Sequence, residues 1–190
     1  MLRILDLSGQ SWPAAGITKS TIPRSTVDVD SVMSATKEII AEVRNGSLAS
    51  VLDLTEKFDG IRPAALRVPE AEISKAVSNL DSEFRSALLE AANRVRKVSE
   101  QQLRSRITTN LSPSGSVTTR WIPIDRVGLY VPGGRAAYPS SVIMNVVPAQ
   151  VAGVPSMMIM SPPNKLNNGW PHQAILAAAG LLGVTEIYAV

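Results

Sequence analysis

Apolar side chains recur every three or four residues through much of the first half of the chain, which is the period of an amphipathic helix. The pattern predicts four helices between about residues 28 and 105. The second begins with Ser47 as its N-cap and the third begins at Pro69. The fourth runs from about Asp81 to Arg104. Their apolar stripes, in chain order, are Val32, Ala35, Ile39, Val43; Leu48, Val51, Leu52, Thr55, Phe58; Ile73, Val77, Leu80; and Phe84, Leu88, Ala91, Val95, Val98.

The pattern changes after the fourth helix. Ile107–Gly115 is rich in Thr, Ser and Asn and contains a Pro, so we expect a loop that joins the two halves of the chain. Ser116–Pro123 and Arg126–Val131 are rich in β-branched and aromatic residues. They predict two strands joined by a short turn around Ile124-Asp125.

The last third of the chain alternates helices with short apolar strands. An apolar helix is expected from Ser140-Ser141 to Ala152, and a second from His172 to Leu182. Ser156–Met160 is a continuous apolar run, as in a strand buried on both faces, and Glu186–Val190 predicts a last, central strand. The order β-α-β-α-β predicts a parallel sheet with right-handed crossovers. The fold class is therefore α/β, with a helical region over residues 1–106 and the first part of a sheet domain over residues 107–190.

Composition narrows the possible chemistry. The chain has 190 residues, 45% of them apolar, which is enough to bury a core. A net charge of +3 is too small to indicate nucleic-acid binding. With no cysteine, the chain has no disulfide, Cys nucleophile or Cys-ligated metal site, and its single histidine, His172, does not suffice for a zinc site built from several histidines.

No targeting or membrane segment is expected. Met1–Gly9 carries Arg3 and Asp6 among its leucines, unlike the apolar stretch of a signal peptide. The most apolar stretch, residues 142–160, is interrupted by Pro, Gly, Asn and Gln, so no run is long enough to span a membrane. We therefore expect a cytoplasmic protein that binds neither membranes nor nucleic acid.

The strongest local feature is the stretch Val127–Gly134, which leads from a strand through a glycine turn towards a helix. Main-chain N–H groups of such a turn can bind an anion, and Ser140 or Ser141 is a natural N-cap for the helix. A tight turn without a ligand explains the same residues equally well. The spacing matches neither the dinucleotide fingerprint G-x-G-x-x-G nor a phosphate-binding P-loop.

Three further residues allow a structural and a functional interpretation. Tyr130 could contact a ligand ring or simply pack against its neighbours. Asn145, among apolar neighbours, needs a partner that is either a main-chain group or a ligand. His172 at a helix start fits a surface or capping role better than a catalytic one.

Several segments together resemble the histidinol dehydrogenase family. The resemblance extends over most of the chain, and its longest part is a run of about twenty residues. The matching segments are Thr55–Asp59, Arg126–Asn145, Pro148–Val154, Ser161–Pro163 and Gly183–Tyr188.

The resemblance implies an oxidoreductase that converts L-histidinol to L-histidine in two NAD-dependent oxidations. The family uses a zinc ion as a Lewis acid and a Glu–His pair for base catalysis, and it works as a homodimer. Its domains carry incomplete Rossmann-like sheets, similar to those of aldehyde dehydrogenases.

The resemblance also implies roles for particular residues. Tyr130 and Pro132 match positions that contact NAD, and Phe58 and Pro162 match positions near the same cofactor. Ser140 and Ser141 match serines near the substrate. No residue of this chain matches the zinc ligands or the Glu–His pair.

The last residues, Ile187–Val190, end in the middle of a strand pattern. Because a buried strand is an unusual terminus and the family's chains are more than twice as long, we expect the N-terminal portion of a longer enzyme. This portion is expected to bind no zinc and to be inactive alone. A short non-catalytic paralogue that acts as a binding or regulatory module, and a dehydrogenase of another amino alcohol, are the alternatives.

Overall fold

A computed structural model describes residues 29–133 and 136–190, and these form parts of two compact units. The first unit ends at Asn45 and contains helix α1, Val29–Asn45. The second runs from Gly46 to Val190 and contains every other element. The predictions for Met1–Gly9 and for Gly134 lie outside the described residues. The domain boundary predicted at residues 106–107 stays a prediction.

Helices α2, Leu48–Asp59, and α3, Glu70–Ser78, begin where the sequence predicts. Ser47 caps α2 by accepting a hydrogen bond from Ala49 N at 3.2 Å, and Gly60 ends it in the left-handed conformation at φ 69°. Pro69 stands before the first turn of α3 and Ile73 is buried. Thr55 is buried as predicted, but the predicted inward face of α2 is partly wrong, because Leu48 and Phe58 are exposed and Leu54, outside the predicted stripe, is buried.

Helix α4 spans Ser82–Gln102, with Asp81 accepting a hydrogen bond from Phe84 N at 2.8 Å. Leu88 is buried, and Phe84, Ala91 and Val95 are partly buried against the core, as the predicted stripe requires. Val98 is the exception at 60% exposed, while its neighbour Ser99 is buried, so the buried face at this turn is shifted by one residue from the predicted stripe.

The polar stretch after α4 is a hairpin, so the predicted loop is wrong. Strand β1, Ile107–Ser112, pairs antiparallel with β2, Gly115–Thr119, and the Thr108 and Thr118 hydroxyls lie 2.9 Å apart across the pair. β2 ends at Thr119, four residues earlier than predicted. Nearly every residue of both strands is exposed, so neither strand has the alternating apolar pattern by which sequence reveals a strand.

A three-stranded parallel sheet follows, in the order β3-β4-β5, which confirms the predicted β-α-β-α-β arrangement. The sheet face that carries Gly128 and Tyr130 is exposed, and Met158 and Met160 of β4 are only half-buried. The prediction that β4 is buried on both faces is therefore wrong. The elements are β3 Arg126–Tyr130, α5 Pro139–Val151, β4 Ser156–Ser161, a 3₁₀ turn Lys165–Asn167, α6 Gln173–Leu181 and β5 Ile187–Ala189.

The outer edge of β5 is covered by the segment between α2 and α3. Val68 N donates to Ile187 O at 2.9 Å and Ala189 N donates to Leu66 O at 2.7 Å, which makes a short antiparallel bridge. The predicted central place of β5 is wrong, because β4 is the middle strand and β5 is the edge strand that this bridge covers. The sequence gives no sign of this bridge because the segment contains a single bridged pair and no strand pattern.

The core of the second unit lies between the sheet and its helices. Helices α5 and α6 pack against each other, α4 packs on α5, and α3 packs on α6. The largest fully buried apolar side chains are Ile159, Ile175, Leu176, Ile187, Val68, Val131, Val142, Val146 and Val147. No described helix is both long and apolar enough to cross a membrane.

Candidate functional site

The parallel sheet brings the ends of its three strands to one edge. β3 ends at Tyr130, β4 at Ser161 and β5 at Ala189, and the register pairs Tyr130 with Met160 and Met160 with Tyr188. In open α/β sheets ligands bind just beyond the carboxyl ends of the strands. This carboxyl edge is therefore the candidate site.

Tyr130 and Pro132 lie exposed at this edge, whereas the residue between them is buried. The Tyr130 side chain is 58% exposed and Pro132 is exposed, whereas Val131 is fully buried and donates its N–H to Met160 O at 2.8 Å. The buried valine fixes the main chain while its neighbours face outward. Tyr130 is thus available to a ligand ring.

Asn145 of α5 has a main-chain partner. Its Nδ2 donates to Tyr130 O at 3.3 Å. The amide therefore ties α5 to the end of β3, which favours the structural interpretation of this residue.

Pro162 approaches the same edge from the end of β4. A Cβ built on Gly133 would lie 3.4 Å from Pro162 Cδ and 3.5 Å from Ser161 Oγ. The fold therefore brings the Pro132-Gly133 turn together with Ser161-Pro162, although about thirty residues separate them in sequence. Two of the proposed cofactor contacts, Pro132 and Pro162, are thereby placed close to each other.

Ser161 is a residue of this edge that sequence reasoning did not single out for a role. It is fully buried, and among the described residues its Oγ has no hydrogen-bond partner. Its main-chain carbonyl is satisfied, because it accepts from Val190 N at 3.0 Å. The only sequence signal is its place in the matching segment Ser161–Pro163.

Phe58 precedes Asp59, a residue that lines a second cleft. Its ring is 60% exposed in the last turn of α2, with Lys57 Nζ 5.4 Å from the ring centroid. Asp59, the next residue, lines a cleft of about 320 Å³ with Pro163, Asn164, Lys165 and Leu166. Partial burial raises the pKa of the Asp59 carboxyl above its usual range. The end of α2 thus meets the loop that Pro162 opens.

Ser140 and Ser141 occupy the first turn of α5, but neither is its N-cap. Tyr138 holds that position without a side-chain hydrogen bond, because Pro139 starts the helix one residue earlier than the serines allow. The predicted capping role is therefore wrong. Ser140 is exposed and Ser141 half-buried, and Ser141 N donates to Tyr138 O at 3.0 Å.

His172 caps α6, which confirms its predicted capping role. Its Nδ1 accepts a hydrogen bond from Ala174 N at 3.1 Å. In the described ranges, no three His, Asp or Glu side chains form a group that could hold a metal ion. The described side chains therefore do not provide a set of ligands that fits the zinc ion implied by the resemblance.

Comparison with known proteins gives a consistent result. The family model described as histidinol dehydrogenase matches residues 22–190. The curated histidinol dehydrogenase of Nocardia farcinica is 50% identical over 186 residues, which cover 98% of this chain and 42% of that protein. The Corynebacterium glutamicum histidinol dehydrogenase is 50% identical over 190 residues, which cover all of this chain and 43% of that protein.

A solved structure supports the same assignment. The crystal structure of histidinol dehydrogenase from Elizabethkingia anophelis superposes with a TM-score of 0.77 at 26% identity, over 88% of this chain and 37% of that one. The chain thus spans about two fifths of the length of the curated relatives it matches, 42% and 43%. Because the family model matches most of its length, this chain belongs to the histidinol dehydrogenase family.

Proposed function

We propose that the whole protein oxidises L-histidinol to L-histidine in two successive NAD-dependent steps, as a cytoplasmic homodimer. The observation that carries the proposal for this chain is the arrangement of Tyr130, Pro132 and Pro162 at one carboxyl edge of a parallel sheet. In this proposal the chain provides part of the NAD site.

The residues at the edge fit a dinucleotide. The exposed Tyr130 ring offers an aromatic surface, Pro132 and Pro162 offer apolar walls, and Gly133 leaves space between them. When bound, NAD accepts a hydride from the substrate.

Phe58 extends the proposed site along the neighbouring cleft, where its exposed ring provides a second apolar contact for the cofactor. Ser140 and Ser141 are proposed to contact the substrate from the start of α5. Their hydroxyls are suited to polar or anionic groups, since no acidic residue stands in the first turn of that helix.

The proposal assigns base catalysis and zinc binding to parts of the whole protein outside the described residues. His172, the one histidine, already uses Nδ1 to cap α6. We therefore expect the 190-residue chain by itself to bind no zinc at a specific site and to form no NADH from histidinol. NADH formation by the chain alone, measured by absorbance, would contradict this part of the proposal.

A binding experiment tests the cofactor site. Isothermal titration with NAD⁺ should give an affinity about tenfold lower for Tyr130→Ala than for the unsubstituted chain, because aromatic contact with a base or nicotinamide ring is lost. Trp121→Ala is the matched control, since Trp121 is 57% exposed but lies before β3, away from the carboxyl edge. Equal affinities for all three proteins would show that Tyr130 does not contact NAD.

A further inference from the structure

The β1–β2 hairpin has two outer edges, and neither of them pairs with another strand of the described residues. Nearly all of its residues are exposed, including Val117 in the middle of β2 at 56%. A two-stranded hairpin is only marginally stable by itself in water, and a third strand or a covering helix usually supports it. The hairpin therefore has an edge to offer to a further strand.

The two outer edges differ in how well they could pair. In β1 the register shifts between Asn110 and Ser112, and such irregularities are one of the means by which proteins block an exposed edge. Charged residues and proline are the other common means, and β2, Gly115–Thr119, contains neither. The edge of β2 is therefore the one that remains open to pairing.

The charges beside the hairpin favour antiparallel pairing with an identical edge. Arg106 and Arg120 lie at its base, one residue outside each strand, whereas its tip, Pro113-Ser114, is uncharged. Parallel pairing of two copies would bring equivalent arginines together. Antiparallel pairing places the base of one hairpin beside the tip of the other, so the arginines of the two copies lie at opposite ends. Such a pair has a two-fold axis, the symmetry of most homodimers.

We infer that β2 is an interaction surface for a second copy of this chain, whose own β2 pairs with it antiparallel about a two-fold axis at Val117. In the resulting four-stranded sheet, Val117 lies opposite the partner's Val117, and Ser116 lies opposite the partner's Thr118. Serine and threonine in such positions can form hydrogen bonds across the strands. The inference goes beyond the proposed function, which includes a homodimer but no surface for it, and it does not involve the carboxyl edge of the parallel sheet.

Lysine substitutions test the surface by sedimentation equilibrium of the 190-residue chain. The unsubstituted chain should form a dimer, and Val117→Lys should raise its dissociation constant at least about tenfold, because two ammonium groups would meet at the axis. Thr109→Lys is the matched control, since Thr109 is exposed and is the partner of Val117 within the hairpin. In the paired sheet it lies three strand spacings, about 14 Å, from the partner's Thr109, so its effect should be small. Both variants should keep the far-UV circular dichroism spectrum of the unsubstituted chain, since both positions are exposed.

Cysteine substitutions test the register of the pairing. The chain contains no cysteine, so each variant carries a single thiol. Val117→Cys should form a disulfide-linked dimer on mild oxidation, because side chains directly opposite each other in an antiparallel pair have Cβ atoms about 4.5–5.5 Å apart. Thr109→Cys should run as a monomer on the same non-reducing gel.

Several results would overturn the inference. One is a chain that stays monomeric up to about 100 µM. Another is a dimer that both lysine variants weaken equally, which would indicate packing through a face of the hairpin, or that neither variant weakens, which would place the contact elsewhere. Cross-linking of Thr109→Cys but not of Val117→Cys would indicate pairing through β1. None of these results depends on NAD⁺ or histidinol, so the proposed dehydrogenase function is tested separately.

Discussion

Gly180 in α6 lies at a close contact with α3 in the second unit. A Cβ at this position would lie 2.6 Å from Val77 Cγ2 and 2.9 Å from Ile73 Cγ2, both on or next to the buried face of α3. Such distances are shorter than real Cβ contacts, and both neighbours are stiff β-branched side chains. Glycine is therefore the residue that lets α3 pack on α6.

Gly180→Ala should lower the free energy of unfolding by about 1–3 kcal/mol, because the methyl group overpacks this contact. Urea unfolding followed by circular dichroism measures the change. Gly133→Ala is the control, since its methyl group meets neighbours only at 3.4 Å or beyond. Equal stability of the two variants would mean that α3 shifts away at little cost.

Two residues of α2 show that helical spacing alone does not predict burial. Leu48 and Phe58 have the helical spacing of core positions, yet they are 62% and 60% exposed. Periodicity identifies an apolar face, but it does not show how far the neighbouring elements extend along that face. Because Phe58 lies outside the core, its ring is exposed and accessible to a ligand.

Helices α4, α5 and α6 are connected by one side chain. Arg96 of α4 donates to Gln150 Oε1 at 2.9 Å, and Gln150 Nε2 donates to Leu182 O at 2.7 Å, just after α6. Both the oxygen and the nitrogen of the Gln150 amide are therefore hydrogen-bonded. Between packed apolar surfaces, a polar atom without such a partner would cost free energy.

Gln150→Ala should destabilise the chain by about 1–3 kcal/mol, because the partly buried Leu182 carbonyl loses its donor. The midpoint of urea unfolding gives the measurement. Gln101→Ala, an exposed position near the end of α4, should change stability by less than about 0.5 kcal/mol. A loss for Gln150→Ala no larger than for Gln101→Ala would show that water replaces both hydrogen bonds.

At the other end of the sheet, an ion pair connects β3 to the residue before β5. Glu186, just before β5, accepts a hydrogen bond from Tyr188 at 2.9 Å and pairs with Arg126 of β3 at 2.6 Å. These two contacts, the tyrosine hydrogen bond first, hold the pKa of Glu186 below its usual value of 4.5. Because the carboxylate is favoured in the folded state, its contribution to stability is present above that value and is lost as pH falls through the lowered pKa.

The stability difference between the unsubstituted chain and Glu186→Gln should therefore be largest near neutral pH and shrink as pH falls below 4.5. Urea unfolding at a series of pH values measures it. Glu100→Gln, for which the described residues supply no ion-pair partner, should show a smaller difference. A difference for Glu186→Gln that does not change with pH would indicate that the pair contributes through packing alone.

Helices α2 to α6 and the parallel sheet could be predicted because each has buried apolar residues, whereas the predicted stripe of α1 is wrong in that Val32 and Val43 are exposed. Strand β1 and its pairing with β2 could not, since their Thr and Ser side chains are exposed, although the strand predicted at Ser116–Pro123 covers most of β2. The start of α5 was placed one residue late, because Pro139 in the first turn outweighs the serines that follow it. In the candidate site, the resemblance supplied Tyr130 and Pro162, but only the fold reveals the buried hydroxyl of Ser161 between them.

At the scale of the whole molecule, the hydrophobic core belongs to the second unit. All of its clustered buried residues lie between Val68 and Ile187, inside Gly46–Val190. Starting at Gly46 also keeps Ser47, the N-cap of α2. The unit therefore contains both its core and the cap of its first helix.

A protein consisting of residues 46–190 should thus unfold in urea in one cooperative transition. Circular dichroism and the fluorescence of Trp170, which packs against the core, should give the same midpoint. Two different midpoints would show that the unit needs residues 1–45 to fold as a whole.

The bridge between residues 66–68 and β5 has a consequence for synthesis on the ribosome. Val68 emerges about 120 residues before its partner Ile187. At about 5–20 residues per second, the first segment waits on the order of ten seconds before its partner exists. Helices α2 to α4 depend on local contacts that exist in that interval, but this edge of the sheet closes only after Ile187 has been made. Slow closure of this distant contact makes the interval before it the time when the nascent chain is most open to a chaperone or to aggregation.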